Sequence, residues 1–195
     1  GTDFGAGSLT ESGYPRTVKL WKRNTPISDA KMIFEAGPDD LSAYAYVAQD
    51  GPYSDLLVGR WLDFYRNETF LIGWDGAVRL LPLPSDATIQ QHFDGQLVFS
   101  LRSDWRAPDG KTYAAGGLYS FDFQRWVAQD RFDAVETLIA PTERSAVLSS
   151  ARTRDRLFVS LIDNVRGRVM SFARTDGGWT STRVALPDNG DIAIN

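Results

Sequence analysis

The feature that most constrains this chain is a hairpin pattern that recurs four times along its 195 residues. Each copy consists of two runs rich in β-branched and aromatic residues, and the copies end at Gly37, Pro84, Pro141 and Pro187, with spacings of 47, 57 and 46 residues. Periods of roughly 40 to 50 residues built from short strands are typical of propeller blades. The sequence therefore predicts an all-β fold, a partial β-propeller made of four-stranded antiparallel blades.

The clearest copy is Thr69–Pro84, with the sequence TFLIGWDGAVRLLPLP. An Asp-Gly pair between two such runs favours a two-residue type I′ turn, because that turn needs positive φ at both central residues. We therefore expect such a turn at Asp75-Gly76, with Gly76 at positive φ. The terminal proline suits the end of an edge strand, since proline donates no hydrogen bond to a further strand.

The whole chain, residues 1–195, is interpreted as one fragment of a propeller domain. Its predicted parts are a loop with an outer half blade at 1–37, three blades at 42–84, 88–141 and 145–187, and the start of a further blade at 188–195. The polar stretch Ser103–Gly117 lengthens the second blade and reads as a loop insertion. Only Asp122–Phe132, DFQRWVAQDRF, competes for helix.

About three blades and one half blade do not close a propeller, and a blade buries its faces only by stacking on neighbours. We therefore expect a fragment whose first and last blades each lack one partner. Monomeric proteins rarely expose apolar patches beyond about 300 to 600 Å². The isolated segment is accordingly expected to self-associate, most simply as a symmetric dimer.

Composition excludes some partners and leaves the compartment open. The net charge of −4 argues against nucleic acid and anionic membranes, both of which favour a basic surface. No apolar run reaches the roughly 18 residues needed to span a bilayer, and the first residues carry no signal-peptide pattern. With no cysteine in the chain, disulfides do not indicate the compartment, which stays open between cytoplasm and periplasm.

The sequence contains no recognisable set of catalytic residues. His92 is the sole histidine, and a Ser-His-Asp triad would need partners and an oxyanion hole besides it, so a structural role is favoured. The chain contains no G-x-S-x-G nucleophile motif. It has neither the Cys and His set of a zinc site nor a phosphate-binding loop, and no cofactor is expected.

Two other chemistries would depend on carboxylates. A glycosidase would need two facing carboxylates, and the candidates are Asp63, Glu68, Asp104 and Glu136, which are more simply solvated strand ends. The acidic stretches 39–40 and 188–191 lack the spaced oxygen ligands of a calcium site, so turns are favoured there.

Arginines offer the one candidate for ligand binding. Arg152, Arg154 and Arg156 alternate and would share one strand face if the strand runs that far, and three further arginines lie nearby, at positions 144, 166 and 168. Guanidinium groups bind carboxylates with two hydrogen bonds, so this face could hold an anionic peptide end. A plain solvated face is the alternative, and it is the commoner meaning of such a run.

Several segments resemble one family. SGYPR at Ser12–Arg16 followed by VKLWKRNTP, PTERSAV at Pro141–Val147, and LIDNVRGRV at Leu161–Val169 are similar to the propeller of bacterial prolyl oligopeptidase family proteins. GTDFGAGS and LRSDWRAPDGKTYAAGGL fit the same pattern, so the resemblance spans nearly the whole chain.

The resemblance implies a two-domain serine peptidase, in which a propeller covers an α/β-hydrolase domain and admits only short peptides, which it cuts in some members after proline. The implied partners are that catalytic domain and short peptide substrates. The family's nucleophilic residues lie in the hydrolase domain, and no position here matches them. A free-standing propeller scaffold that binds protein or carbohydrate is the alternative, and a glycosidase is the third.

Overall fold

The computed structural model describes residues 4–187, 192 and 194, and within them it contains sixteen strands, one α-helix and one 3-10 helix. The chain divides into two compact units. The first comprises residues 1–49 and 53–86, and the second comprises residues 50–52 and 87–195.

The first unit contains a two-stranded and a four-stranded antiparallel sheet. In the two-stranded sheet, β1 (Thr17–Leu20) pairs with β2 (Lys31–Glu35), and a 3-10 helix at Ile27–Asp29 lies between them in the chain. The four-stranded sheet has the order β3-β4-β5-β6. Its strands are β3 (Ser42–Asp50), whose last residue, Asp50, belongs to the second unit, β4 (Tyr53–Trp61), β5 (Asn67–Ile72) and β6 (Val78–Leu80).

The turn between β5 and β6 differs from the expected one. Gly76 has φ +86°, as predicted, but Asp75 does not have positive φ. The Gly76 N–H donates to Gly73 O (2.9 Å), so Trp74 and Asp75 are the central residues of the turn and Gly76 follows them. The Asp75 side chain accepts from Ala77 N–H (3.0 Å). The prediction of a two-residue type I′ turn was therefore wrong. Asp75 instead caps a longer turn that needs only one left-handed residue.

An ion pair holds the start of β3. Asp40 Oδ2 accepts from Gly37 N–H (2.6 Å) and from Arg60 Nε (2.7 Å), and Arg60 also reaches Glu68 (3.3 Å). The hydrogen bond from Arg60 is the main cause that lowers the pKa of Asp40, helped by the bond from Gly37 and opposed by burial. This carboxylate belongs to a turn, in agreement with the turn interpretation of residues 39–40.

The second unit contains two four-stranded antiparallel sheets and one short hairpin. The sheet orders are β12-β11-β8-β7 and β13-β14-β15-β16. The first sheet consists of β7 (Thr88–Phe93), β8 (Gln96–Ser100), β11 (Leu118–Asp122) and β12 (Glu136–Ile139). The second consists of β13 (Ser145–Arg152), β14 (Leu157–Asp163), β15 (Arg166–Thr175) and β16 (Gly178–Arg183).

The two four-stranded sheets of the second unit share one hydrophobic core. Its buried members come from both sheets, namely Phe93, Val98, Leu118, Leu157, Val159 and Phe172. Trp179 packs against this core, with its ring centroid 5.8 Å from that of Phe93, and its indole N–H donates to Ser120 Oγ (2.8 Å). Stacking of one sheet face on another is how blade-like units bury their apolar side chains.

The predicted loop insertion is ordered by aromatic packing. It contains a two-stranded hairpin, β9 (Trp105–Arg106) and β10 (Thr112–Tyr113), which the sequence analysis did not predict. The Trp105 ring lies 5.8 Å from that of Phe99 and 6.0 Å from that of Tyr113. The chain thus folds this insertion onto the sheet from which it emerges.

The predicted helical stretch forms one short helix, α1 (Phe123–Gln129). Asp122 accepts from Arg125 N–H (2.9 Å) as its N-terminal cap, and Phe123 and Trp126 are buried.

The fold class, an all-β partial propeller of four-stranded antiparallel sheets, is confirmed. Among the described residues, no helix combines the length and apolar character required to cross a bilayer.

Candidate functional site

The first strands of the two sheets in the second unit lie side by side. Ser150 Oγ of β13 donates to Gln90 O of β7 (3.0 Å), and Gln91 Nε2 donates to Ser150 O (3.4 Å). Each strand is interrupted by a register shift, between Ile89 and Gln91 in β7 and between Val147 and Ser149 in β13. Polar side chains therefore join two strands whose main chains pair only within their own sheets.

A buried carboxylate gathers the ends of these strands. Asp50 is only 7% exposed, and its Oδ2 accepts from Gly95 N–H (2.7 Å) while its Oδ1 accepts from Arg152 Nη1 (3.2 Å). Gly95 belongs to the β7–β8 turn, and Arg152 is the last residue of β13. We call Asp50, Gly95 and Arg152 the Asp50 cluster. Its two bonds connect three separate parts of the chain at one end of the first strands.

His92 lies beside this cluster and is a poor candidate for a base. Burial lowers its pKa to about 4; the charge of Arg152 adds to this effect and the charge of Asp50 opposes it. The imidazole ring contacts the Phe123 ring edge-on, with centroids 5.1 Å apart. His92 therefore stays neutral at pH 7 and packs on Phe123, and its structural role stays a prediction.

The three predicted arginines do not share a strand face. Strand β13 ends at Arg152, and Arg154 and Arg156 lie in the exposed connection to β14. Thr153 N–H donates to Arg156 O (2.8 Å), so the chain turns at this point and the alternation required for one strand face is lost. Arg152 is instead held by Asp50. A peptide-facing role for Arg152, Arg154 and Arg156 stays a prediction.

The candidate glycosidase carboxylates are each engaged locally. Asp63 caps its own turn through the N–H groups of residues 65 and 66, and Glu68 pairs with Arg60. Asp104 accepts from the Ala115 N–H (2.8 Å), and Glu136 pairs with Arg174 (2.6 Å). These contacts give each of the four carboxylates a structural role.

No group of three or more His, Asp or Glu side chains suited to a metal ion occurs within residues 4–187 and the two described positions after them. The acidic stretch 188–191, interpreted as a turn, lies outside the described residues.

Sequence reasoning missed Asp50. Its partners are 45 and 102 residues away in the chain, so no local pattern identifies it. The available signal was the Asp94-Gly95 turn, which places a glycine N–H next to the strand end. The sequence of this turn does not identify the carboxylate that accepts a hydrogen bond from that N–H.

Comparison with known proteins extends these observations. Residues 5–194 match the family model described as the prolyl oligopeptidase N-terminal beta-propeller domain. An "uncharacterized peptidase" of Sinorhizobium fredii is 32% identical over 193 residues, which is 96% of this chain and 27% of that protein. A second such peptidase, from Rickettsia prowazekii, is 28% identical over 88% of this chain and 24% of its own length. The chain thus spans about a quarter of the curated relatives that it matches.

Solved structures give the same result. A structure described as a post-proline cleaving enzyme from Rickettsia typhi matches 94% of this chain and 28% of its own, with a TM-score of 0.85 and 26% identity. Oligopeptidase B from Leishmania major matches 92% of this chain and 25% of its own, with a TM-score of 0.56 and 15% identity, a level that shows similarity of fold alone.

Proposed function

Because this chain belongs to the prolyl oligopeptidase family as an N-terminal β-propeller domain, we propose that it is the non-catalytic, substrate-gating segment of a serine peptidase. In this proposal the catalytic residues lie in an α/β-hydrolase domain of the same longer chain. The propeller segment restricts the entry of large substrates, so that only short peptides are cleaved. Cleavage after proline is part of the proposal and takes its support from the Rickettsia typhi structure, which is described as a post-proline cleaving enzyme.

The single observation that carries the proposal is the match of residues 5–194 to the propeller domain, together with the TM-score of 0.85. The division into blades at 42–84, 88–141 and 145–187 belongs to the same proposal and is supported by the three four-stranded sheets. A gate needs a rigid rim, and the bonds that join β7 to β13 and hold Asp50 would supply one.

The first test compares the chain with the full-length protein that contains it. Incubation with a chromogenic proline-containing peptide should give turnover by the full-length protein and none by residues 1–195. Turnover by the isolated chain that His92→Ala abolishes would contradict the proposal. If the full-length protein contains no hydrolase domain, the proposal is contradicted as well. The alternative of a binding scaffold is then favoured.

Arg152, Arg154 and Arg156 are proposed to face the peptide. Arg152 is oriented by Asp50, while Arg154 and Arg156 are exposed in the adjacent turn. Such guanidinium groups would attract the carboxylate of a short peptide.

The test of this role uses matched peptides. In the full-length enzyme, Arg154→Ala with Arg156→Ala should lower kcat/KM about fivefold for a peptide with a free C-terminal carboxylate, mainly through KM. The amidated peptide should be unaffected, and added salt should remove the difference. Arg106→Ala, at an exposed arginine elsewhere in the second unit, is the control. An equal loss with both peptides would contradict the role.

Self-association of the isolated segment is also proposed. The β1–β2 hairpin and its connection expose large apolar side chains, Leu20, Trp21, Ile27 and Met32. On the last sheet, the face opposite its core carries the apolar side chains Phe158, Ile162 and Val169 beside Ser160, which bonds to Ser149 (2.8 Å). Light scattering across a dilution series should therefore show a dimer that Trp21→Ser weakens. Trp74→Ser, at another exposed tryptophan, is the control, and a monomer at millimolar concentration would contradict the proposal.

A further inference from the structure

A strained valine stands at the tip of the β14–β15 hairpin. Asn164 and Val165 have φ values of +51° and +66°, both in the left-handed region, and Val165 is 89% exposed. Asparagine tolerates this conformation, but a β-branched residue does not adopt it without strain. Folding would be easier with glycine at position 165, so the hairpin itself gives no reason for valine.

The turn around Val165 is held in place on both sides. Asn164 N–H donates to Arg144 O (2.9 Å), which ties the turn to the segment that leads into β13. Asp163, at the end of β14, pairs with Arg168 of β15 (2.8 Å). An exposed apolar side chain is therefore presented at a fixed position. The exposed charged residues next to it are Arg144, Arg166 and Glu143.

The topology indicates what lies on this side of the sheet. Strands β13 to β16 form an antiparallel meander, so the start of β13, the β14–β15 turn and the end of β16 lie at the same end of the sheet. A polypeptide that enters and leaves such a blade does so at that end. About 72% of the Rickettsia typhi protein lies outside the part that matches this chain, which is enough for further blades and for a separate domain.

We propose that the β14–β15 turn, residues 163–166, is a docking point for the hydrolase domain of the full-length protein. Val165 inserts into an apolar pocket on that domain, and Arg144 and Arg166 face acidic groups at the rim of the pocket. This inference rests on the proposed function. Strained backbone is retained where the surroundings or a binding partner make use of it, and interfaces combine an apolar centre with a polar rim.

The test uses variants that should have opposite effects on stability and on docking. Val165→Gly and Val165→Asn relieve the left-handed strain and remove the apolar side chain. In the isolated chain each should raise the thermal midpoint, by about 2 to 4 °C for Val165→Gly. In the full-length protein each should speed proteolytic cleavage of the connection between the domains at least about fivefold, because docking is weakened. Trp74→Gly is the control, since Trp74 is 93% exposed at the tip of another hairpin.

The outcomes separate the two proposals. Faster cleavage in both Val165 variants with an unchanged rate in Trp74→Gly supports the docking point. An unchanged rate in Val165→Gly overturns it, and so does an equal increase in Trp74→Gly. If the full-length product has no hydrolase domain, the proposed function fails instead. Since Val165→Gly is expected to stabilise the fold, a faster cleavage rate cannot be attributed to unfolding of the propeller segment.

Discussion

Two hairpin turns of the second unit share a backbone conformation and differ in their residues. The β7–β8 turn has Asp94 and Gly95 at φ +50° and +76°, and the β14–β15 turn has Asn164 and Val165 at +51° and +66°. In the first, the flexible residue is glycine, it is buried, and its N–H donates to Asp50. In the second, the corresponding residue is a valine that is almost fully exposed.

The fold requires the glycine at the first turn, whereas it only tolerates the valine at the second. At the first turn the glycine satisfies the backbone and also gives Asp50 a close donor, so conformation and packing favour the same residue. At the second turn the conformation favours glycine or asparagine, and no packing contact compensates for valine at 89% exposure. A residue that costs stability without improving the local structure indicates a role outside it.

The largest effect is expected from Asp50→Ala. It leaves the buried Gly95 N–H without its acceptor and the exposed Arg152 without its carboxylate, and should lower the free energy of unfolding by about 3 kcal/mol, mainly through the unpaired N–H. Asp163→Ala, which removes the ion pair to Arg168 beside the exposed turn, should cost less than about 1 kcal/mol. Urea unfolding measures both. Similar costs for the two variants would mean that the buried turn is not held more strongly than the exposed one.

The next effect is a pH dependence that comes from His92 in β7, beside the buried turn. Burial lowers the pKa of His92 from 6.5 to about 4 in the folded protein. The unfolded chain therefore binds a proton first as the pH falls, so the stability is fully present above pH 6.5 and declines between pH 6.5 and 4. The accumulated loss reaches about 3 kcal/mol below pH 4. His92→Phe should flatten this part of the stability profile, and a profile that keeps its slope in the variant would assign the slope to other groups.

Gly95→Ala should have a smaller effect. A Cβ at a left-handed position costs about 1 to 2 kcal/mol, and the donor to Asp50 is retained. Gly110→Ala is a useful control, because Gly110 has φ +82° with no atom within 4 Å of an added Cβ. Its cost reports the conformational strain alone. If Gly95→Ala costs no more than this control, packing at the Asp50 cluster adds nothing to the requirement for glycine.

The sequence predicted the architecture because each sheet repeats the same local pattern. Asp94-Gly95 and the alternating runs around it are readable within a few residues, and so are Asp122 and Phe123 at the start of the helix. The turn at Gly76 was only partly predicted, since whether Asp75 is a central turn residue or a cap depends on one side-chain hydrogen bond. Arg154 was expected on a strand face only if the strand ran that far, and alternation does not show that the strand ends at Arg152. Asp50 could not be predicted, because both its partners are distant in the chain.

The smallest effect is expected from Asn164→Gly, and it locates the strain within the exposed turn. Asn164 already occupies the left-handed region at φ +51°, where the conformational strain of asparagine is small. Glycine at this position would also add flexibility to the unfolded chain. The free energy of unfolding should therefore change by less than about 0.5 kcal/mol, whereas Val165→Gly should raise it by about 1 kcal/mol. Chemical denaturation of the two variants side by side measures the difference. A gain from Asn164→Gly equal to that from Val165→Gly would mean that the strain is spread over the turn, and valine would then no longer be the residue that distinguishes this hairpin from the one at Gly95.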